Sequence, residues 1–373
     1  MLFFLLLFAA VIFLIACSLG GYYSFWKEKK LNKPCFFVIL AALTANMVIA
    51  VKYSKIIPFA FLKQISYFMA VIFFIAMVYS SFFFIIRWII LKAAKHFKRT
   101  EGKFIGFLSS KGKTTALVSA FVCLLAVTGY INMGTFRVSD FTVNIDKPSQ
   151  LSELNCAVIS DMHIGVGVNS QKLDELTEKI NSLAPDVIFL VGDIVDESTT
   201  DEDVRIMINA FKNLKSKYGA YYVSGNHEGY ANFNYNKYIT EAGITVLEDE
   251  AAAIGEDITV IGRKDAYSNR KELKEIIYDE NTDTSKPIIV LNHEPLQLAK
   301  MSEEGADLTL CGHTHGEQFP FTKLLFGLAN DMMYGEKEFG NMTAITTSGA
   351  GGWGFHFKLP AKSEIVNLRI TLK

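Results

Sequence analysis

Four stretches within the first 136 residues carry no charged side chain: Met1–Trp26, Pro34–Val51, Gln64–Ile86 and Thr114–Phe136. Each is close to or longer than the ~20 apolar residues a helix needs to cross a bilayer. A single Lys or Arg at mid-membrane costs about 3 kcal/mol, so these runs predict four crossing helices and a transmembrane anchor over residues 1–131. No basic residue precedes the first run, as it would in a cleaved signal. That run is expected to remain a helix, and Leu14-Ile15-Ala16-Cys17 to resemble a lipoprotein cleavage box by chance. The loop after the first run holds Lys27, Lys29, Lys30 and Lys33, and the loop after the third holds Lys92, Lys95, Lys98, Arg99, Lys103, Lys111 and Lys113. The loop between has only Lys52, Lys55 and Lys63. The positive-inside bias then sets the first and third loops in the cytoplasm and the C-terminal domain outside it. No ionisable residue interrupts the runs, which argues for an anchor rather than an ion path or proton relay.

The remaining chain is of another kind. The first 150 residues hold 17 Lys/Arg against 4 Asp/Glu, the rest 20 against 34. An acidic domain argues against a nucleic-acid partner, because binding the phosphate backbone needs a basic face. Cys17, Cys35, Cys123, Cys156 and Cys311 show no CxxC spacing, so neither a thiolate zinc site nor a disulfide framework is indicated. Lys111-Gly112-Lys113-Thr114 lacks the upstream glycine and strand of a phosphate loop and reads as a basic helix flank.

From residue 136 onward, apolar runs alternate with helical periodicity. Phe136–Ile145 reads as an early strand after a linker, within residues 132–150. Strands are expected at Cys156–Ser160, Val187–Val191, Ala220–Ser224, Ile258–Ile261, Ile288–Leu291 and Ala306–Cys311, and helices at Asn169–Leu183 and Asp201–Lys217. Alternation of this kind predicts an α/β domain over 151–373, with ligands at the carboxyl ends of the strands. Asp161 and His163, Asp193, Asn226, His293, and His313 and His315 all fall at such ends. In an extended backbone residues two apart face one way, so His313 and His315 are expected to present two imidazoles in a single direction. Seven oxygen and imidazole donors exceed one tetrahedral site and suit two metals.

The pattern Asp161-x-His163, Gly192-Asp193-x-x-Asp196, Gly225-Asn226-His227-Glu228, His293-x-Pro295 and Gly312-His313-Thr314-His315 resembles the calcineurin-like metallophosphoesterases, in their membrane-attached bacterial branch. The resemblance spans roughly residues 135–373. It implies a four-layer α/β domain, a β-sandwich flanked by helices. It also implies a metal-dependent phosphoric ester hydrolase that uses two divalent ions (Mn, Fe or Zn). One ion would take Asp161, His163 and His315, the other Asn226, His293 and His313, with Asp193 bridging. Hydroxide formed on the metals would attack phosphorus, and His227 would protonate the leaving oxygen or stabilise the transition state. Asp196 or Glu228 would orient the histidines or else be ordinary loop carboxylates. Apart from the resemblance, Arg263 and Lys264 follow the strand Ile258–Ile261 and would reach the site rim to meet a phosphate or else stand as exposed loop charges. The family often reads Gly-His-Thr-His-Gly-Gly-Gln, and Glu317 departs from it. A membrane anchor favours a lipid- or envelope-linked substrate carrying a phosphate ester or pyrophosphate bond. The alternative, a metal-binding membrane sensor or scaffold without turnover, is disfavoured by the intact His227. The Gly-rich loop Gly349–His356 is a candidate cleft wall, membrane-facing lip or turn between the last strands, and the apolar segment Phe319–Leu328 a candidate core or lipid contact.

Overall fold

The computed structural model describes residues 2–53, 57, 59–231, 233–320, 322–323 and 327–373. The chain divides into two compact units, Met1–Tyr130 and Ile131–Lys373.

The first unit is helical: α1 (Leu2–Glu28), α2 (Lys33–Lys52), α3 (Ala60–His96), the short α4 (Lys103–Ser109) and α5 (Lys111–Met133). Among the described residues three spans are long and apolar enough to cross a membrane, Lys33–Ala50, Phe61–His96 and Lys111–Met133, against the four expected. The first run is helical within α1, but its opening residue, like Lys55 of the second loop, lies outside the described residues. Polar side chains within this unit satisfy one another: Ser18 lies 2.8 Å from Ser80, and Ser66 donates to Asn46 Oδ1 at 2.8 Å. α3 continues past Ile86 to Arg87, whose Nε donates to Leu108 O at 2.7 Å. A buried donor in apolar surroundings needs such a partner.

The second unit is built on two six-stranded sheets. The first contains β1 (Arg137–Ile145), β2 (Glu153–Ile159), β3 (Val187–Val191), β4 (Ala220–Val223), β5 (Thr245–Val246) and β12 (Glu364–Leu372), in the order β1-β12-β2-β3-β4-β5. The second contains β6 (Glu250–Ile254), β7 (Ile258–Gly262), β8 (Ile288–Leu291), β9 (Leu308–Cys311), β10 (Gly335–Phe339) and β11 (Met342–Thr346), in the order β10-β11-β9-β8-β7-β6. Successive side chains on a strand face opposite ways. Leu154, Cys156, Val158, Val187, Phe189 and Val191 therefore pack inward against Ile289, Leu291, Leu308 and Leu310 of the other sheet. Ala157, Ile159, Ile188 and Leu190 point outward onto α6 (Leu173–Ser182), α7 (Asp201–Phe211) and α8 (Tyr235–Glu241). Ile288, Val290 and Cys311 point outward onto α9 (Leu273–Asp279) and α10 (Leu298–Glu303). The result is the four-layer α/β/β/α domain anticipated above. Strands buried on both faces explain why the runs are continuously apolar rather than alternating.

α7 ends at Phe211, short of the Lys217 read from periodicity. Tertiary bonds override it: Asn181 Nδ2 donates to Asn213 O and Asn181 Oδ1 accepts Lys215 N–H, both at 2.8 Å. Of the apolar segment 319–328, residues 321 and 324–326 lie outside the described residues. Phe319 stacks on Phe357 at 5.1 Å, whereas Leu328 is exposed.

Candidate metal centre

Parallel pairing of β2 with β3 and of β3 with β4, and of β7 with β8 and of β8 with β9, lines up strand ends. The loops leaving β2, β3, β4, β8 and β9 bring all seven candidate ligands together. They form two groups whose donor atoms lie within 4.8 Å of one another, Asp161, His163 and His315, and Asp193, His293 and His313. Asn226 joins the second, its Oδ1 2.9 Å from His313 Nδ1. Asp193 Oδ2 faces both groups, 3.1 Å from His293 Nε2 and 3.6 Å from His163 Nε2.

His313 and His315 serve different groups, which corrects the expectation of two imidazoles aimed one way. The backbone there is not extended. Asp161, His163, Asp193, His313 and His315 all adopt positive φ, between 45° and 69°. Such left-handed residues cost about 1–3 kcal/mol each and persist where the surroundings over-determine them. Glycines allow the loops to close this tightly: a Cβ at Gly312 would overlap Asp161 Oδ2, and one at Gly225 would overlap Asp193 Oδ1.

Several polar atoms are buried without a hydrogen-bond partner: His163 Nε2, Asp193 Oδ2, His293 Nε2 and His315 Nδ1. Buried polar atoms are ordinarily satisfied, so orphans within these two groups fit residues that would hold metal ions. The opposite ring nitrogens are satisfied where that orients a ligand. His163 Nδ1 meets Asp196 Oδ2 at 3.0 Å and His293 Nδ1 donates to Val191 O at 2.7 Å. Asp196 thus sits where a carboxylate orients a ligating imidazole.

The electrostatics match. Burial alone would lower the pKa of His163, but its bond to Asp196 and the charges of Asp193 and Asp161 raise it to about 9. For His293 burial is likewise outweighed by Asp193, which holds the imidazole protonated. Burial pushes His313 down to about 4 and, only partly offset by Asp161, His315 down to about 3. His313 and His315 thus favour the neutral form, and His163 and His293 the protonated form whose protons metal binding would displace.

His227 lies beside the ligands, its ring 4.9 Å from that of His163, and its backbone N–H donates to Asp193 Oδ1 at 2.8 Å. Glu228 does not touch the histidine rings. Its carboxylate, 1% exposed, accepts the backbone N–H groups of Asp193, Ile194, Val195 and Gly225. Arg263 corrects the reading of an exposed loop charge: it is buried and donates to Lys271 O at 3.1 Å. Arg263 follows Gly262, the last residue of β7, and its side chain is among the largest fully buried ones.

Glu197, Gln318 and Lys358, near the site, were not singled out from sequence, whereas Trp353 lies in the Gly-rich loop that was. Glu197 Oε2 lies 3.5 Å from His227 Nδ1, and Trp353 donates from Nε1 to Glu197 Oε1 at 3.4 Å. Gln318 clamps the Gly-rich loop, accepting Trp353 N–H at 3.1 Å and donating to Trp353 O at 2.9 Å. Lys358, fully buried, donates to the carbonyls of Ser348, Gly349 and Gly351. That loop backs Asp161, since Gly351 N donates to Asp161 O at 2.9 Å. An isolated lysine between apolar Phe357 and Leu359, just after a glycine cluster, is the sequence signal for such a clasp.

A family model for calcineurin-like phosphoesterase matches residues 154–317. The chain is 32% identical over 282 residues to a metallophosphoesterase of Helicobacter pylori, covering 72% of this chain and 75% of that one. The chain belongs to the calcineurin-like phosphoesterase family and is a metal-dependent phosphoric ester hydrolase. A metallophosphoesterase from a second Helicobacter pylori strain is 29% identical over 363 residues, 94% of this chain and 93% of that one. A transmembrane protein with metallophosphoesterase domain from Danio rerio is 28% identical over 306 residues, 77% of this chain and 69% of that one. With its apolar helices and such a relative, this is a membrane protein whose substrates are phosphate esters.

Proposed function

We propose a multi-pass phosphoesterase whose domain, on the extracytoplasmic side, cleaves a phosphate ester or pyrophosphate bond in a lipid- or envelope-linked molecule with two divalent ions. Asp161, His163 and His315 would hold one ion, Asn226, His293 and His313 the other, and Asp193 would serve both. The observation that carries this reading is Asp193 Oδ2, buried, unpartnered and facing a histidine of each group. Oxygen and imidazole donors without thiolate suit Mn, Fe or Zn. When bound, such ions supply Lewis acidity and a water that ionises near neutral pH.

The chain's own residues do the rest. His227 Nδ1 faces Glu197, which leaves Nε2 to give a proton to the departing oxygen. Asp196 fixes the ring of His163, and Glu228 fixes the loop of Asp193. A lipid-linked substrate is favoured because β1 begins four residues after α5 ends, which leaves little tether between span and domain.

His227→Ala should leave two ions bound and lower turnover of an alkyl phosphate at least 100-fold, with a smaller loss for an aryl ester whose leaving group needs no proton. Equal turnover of both esters by wild type and variant would remove His227 from the reaction. A periplasmic-type reporter fused after Lys373 should be active; activity only for a cytoplasmic reporter would reverse the orientation.

A further inference from the structure

A cavity of about 310 Å³ opens at the β1 edge of the first sheet, lined in part by Arg137, Ser139, Tyr334, Lys362 and Glu364. Its wall is bonded to the last turn of α5, a helix of membrane-spanning length. Ser363 Oγ donates to Met133 O at 2.9 Å, Ser363 N–H to Asn132 O at 3.2 Å, and Arg137 N–H to Ser363 O at 2.8 Å. Only three residues lie between Met133 and Arg137, a span of at most about 14 Å of extended chain. The cavity is thus tied to the residues that close α5.

Arg137 and Lys362 bring two positive charges to its lining, against the one carboxylate of Glu364. Among the described residues neither Arg137 nor Lys362 lies within 4.0 Å of a carboxylate. Glu364 is the register partner of Arg137, but its carboxylate is engaged by other groups. It accepts bonds from Tyr334 OH at 2.7 Å, Thr347 Oγ1 at 2.7 Å and Ser348 N–H at 2.8 Å. Ser139 stands two residues along β1 from Arg137, on the same face. A guanidinium, an ammonium and a hydroxyl around one concavity, on a unit that is otherwise acidic, match the donors a phosphate takes.

We propose that this cavity seats the phosphate headgroup of an anionic phospholipid. It is a site apart from the metal ligands and requires only that α5 spans the membrane. It is also close behind them. Gly316 follows His315, and a Cβ on Gly349, next to Ser348, would lie 2.6 Å from Asp161 Cβ. An occupied seat braces the loops that carry His315 and Asp161.

The test uses the full chain in neutral detergent, offered phosphatidylglycerol or phosphatidylcholine of the same acyl chains, with bound lipid counted by native mass spectrometry. Wild type should retain one phosphatidylglycerol with about tenfold preference, and R137A/K362A should lose that preference. K29Q/K30Q, in a basic loop, should keep it. Unchanged preference in R137A/K362A, or its loss in K29Q/K30Q instead, overturns the assignment. Displacement of the lipid by millimolar inorganic phosphate would also overturn it, making the ligand a soluble anion. Melting temperature and metal content report whether the double variant folds; if it does not, R137Q and K362Q should each cut the preference several-fold, and no cut in either is equally decisive.

Discussion

Asp193→Asn should lower kcat/KM for an aryl phosphate at least 1,000-fold and reduce bound metal from two ions to one or fewer. The change keeps shape almost intact, so the effect is one of charge and lone pairs. Oδ1 already accepts the His227 backbone N–H at 2.8 Å. To preserve that bond, the new amide must turn its NH2 toward the atoms now faced by Oδ2, between His163 and His293. Those are the positions of the proposed cations, which an amide nitrogen cannot bind and whose field it opposes. The carboxylate is held well below its usual pKa despite its burial, chiefly by the charge of His293, so it is ionised at any working pH. A thousandfold loss corresponds to about 4 kcal/mol. Metal analysis with steady-state kinetics decides it: a variant with two ions and wild-type turnover would end the shared-carboxylate assignment.

The second large effect belongs to Glu228→Gln. The wild-type carboxylate accepts four backbone donors, at 2.9 Å from Asp193, 2.6 Å from Ile194, 3.3 Å from Val195 and 2.8 Å from Gly225. Two loops, one after β3 and one after β4, are thereby tied to one side chain. Glutamine offers one acceptor oxygen and sets an NH2 against the remaining donors, stranding about two buried N–H groups. Each stranded group costs about 1–3 kcal/mol, so the metal-free variant should lose about 2–6 kcal/mol in urea unfolding. Because Asp193 is carried on one of those loops, metal affinity should fall about 10–100-fold. Saturating metal should restore much of the turnover, as it would not for a residue acting on substrate. Wild-type stability together with wild-type metal affinity would contradict this role.

The layered architecture was legible because its strands are buried on both faces and therefore read as short apolar runs, with Val187–Val191 and Ile288–Leu291 found at the residues anticipated. The convergence of Asp161, Asp193, Asn226, His293 and His313 followed from their place at the ends of those runs. Less visible were features set by contacts across the fold. The left-handed backbone at His313 and His315 is imposed by packing around Gly312 and Gly316, not by local preference, and an extended reading misassigns their direction. Glu197 reaches Trp353 across 156 positions, and no local pattern links the two. Arg263 looked like a surface charge because one residue of sequence cannot say which way a strand end turns. The short helices α8, α9 and α10 each give at most two turns of periodicity, too few to stand out.

Five ligands set in left-handed backbone mean that donor direction is written into the scaffold before any cation arrives. Such a rack resists re-aiming, so swapping one transition ion for another should alter reactivity far more than geometry.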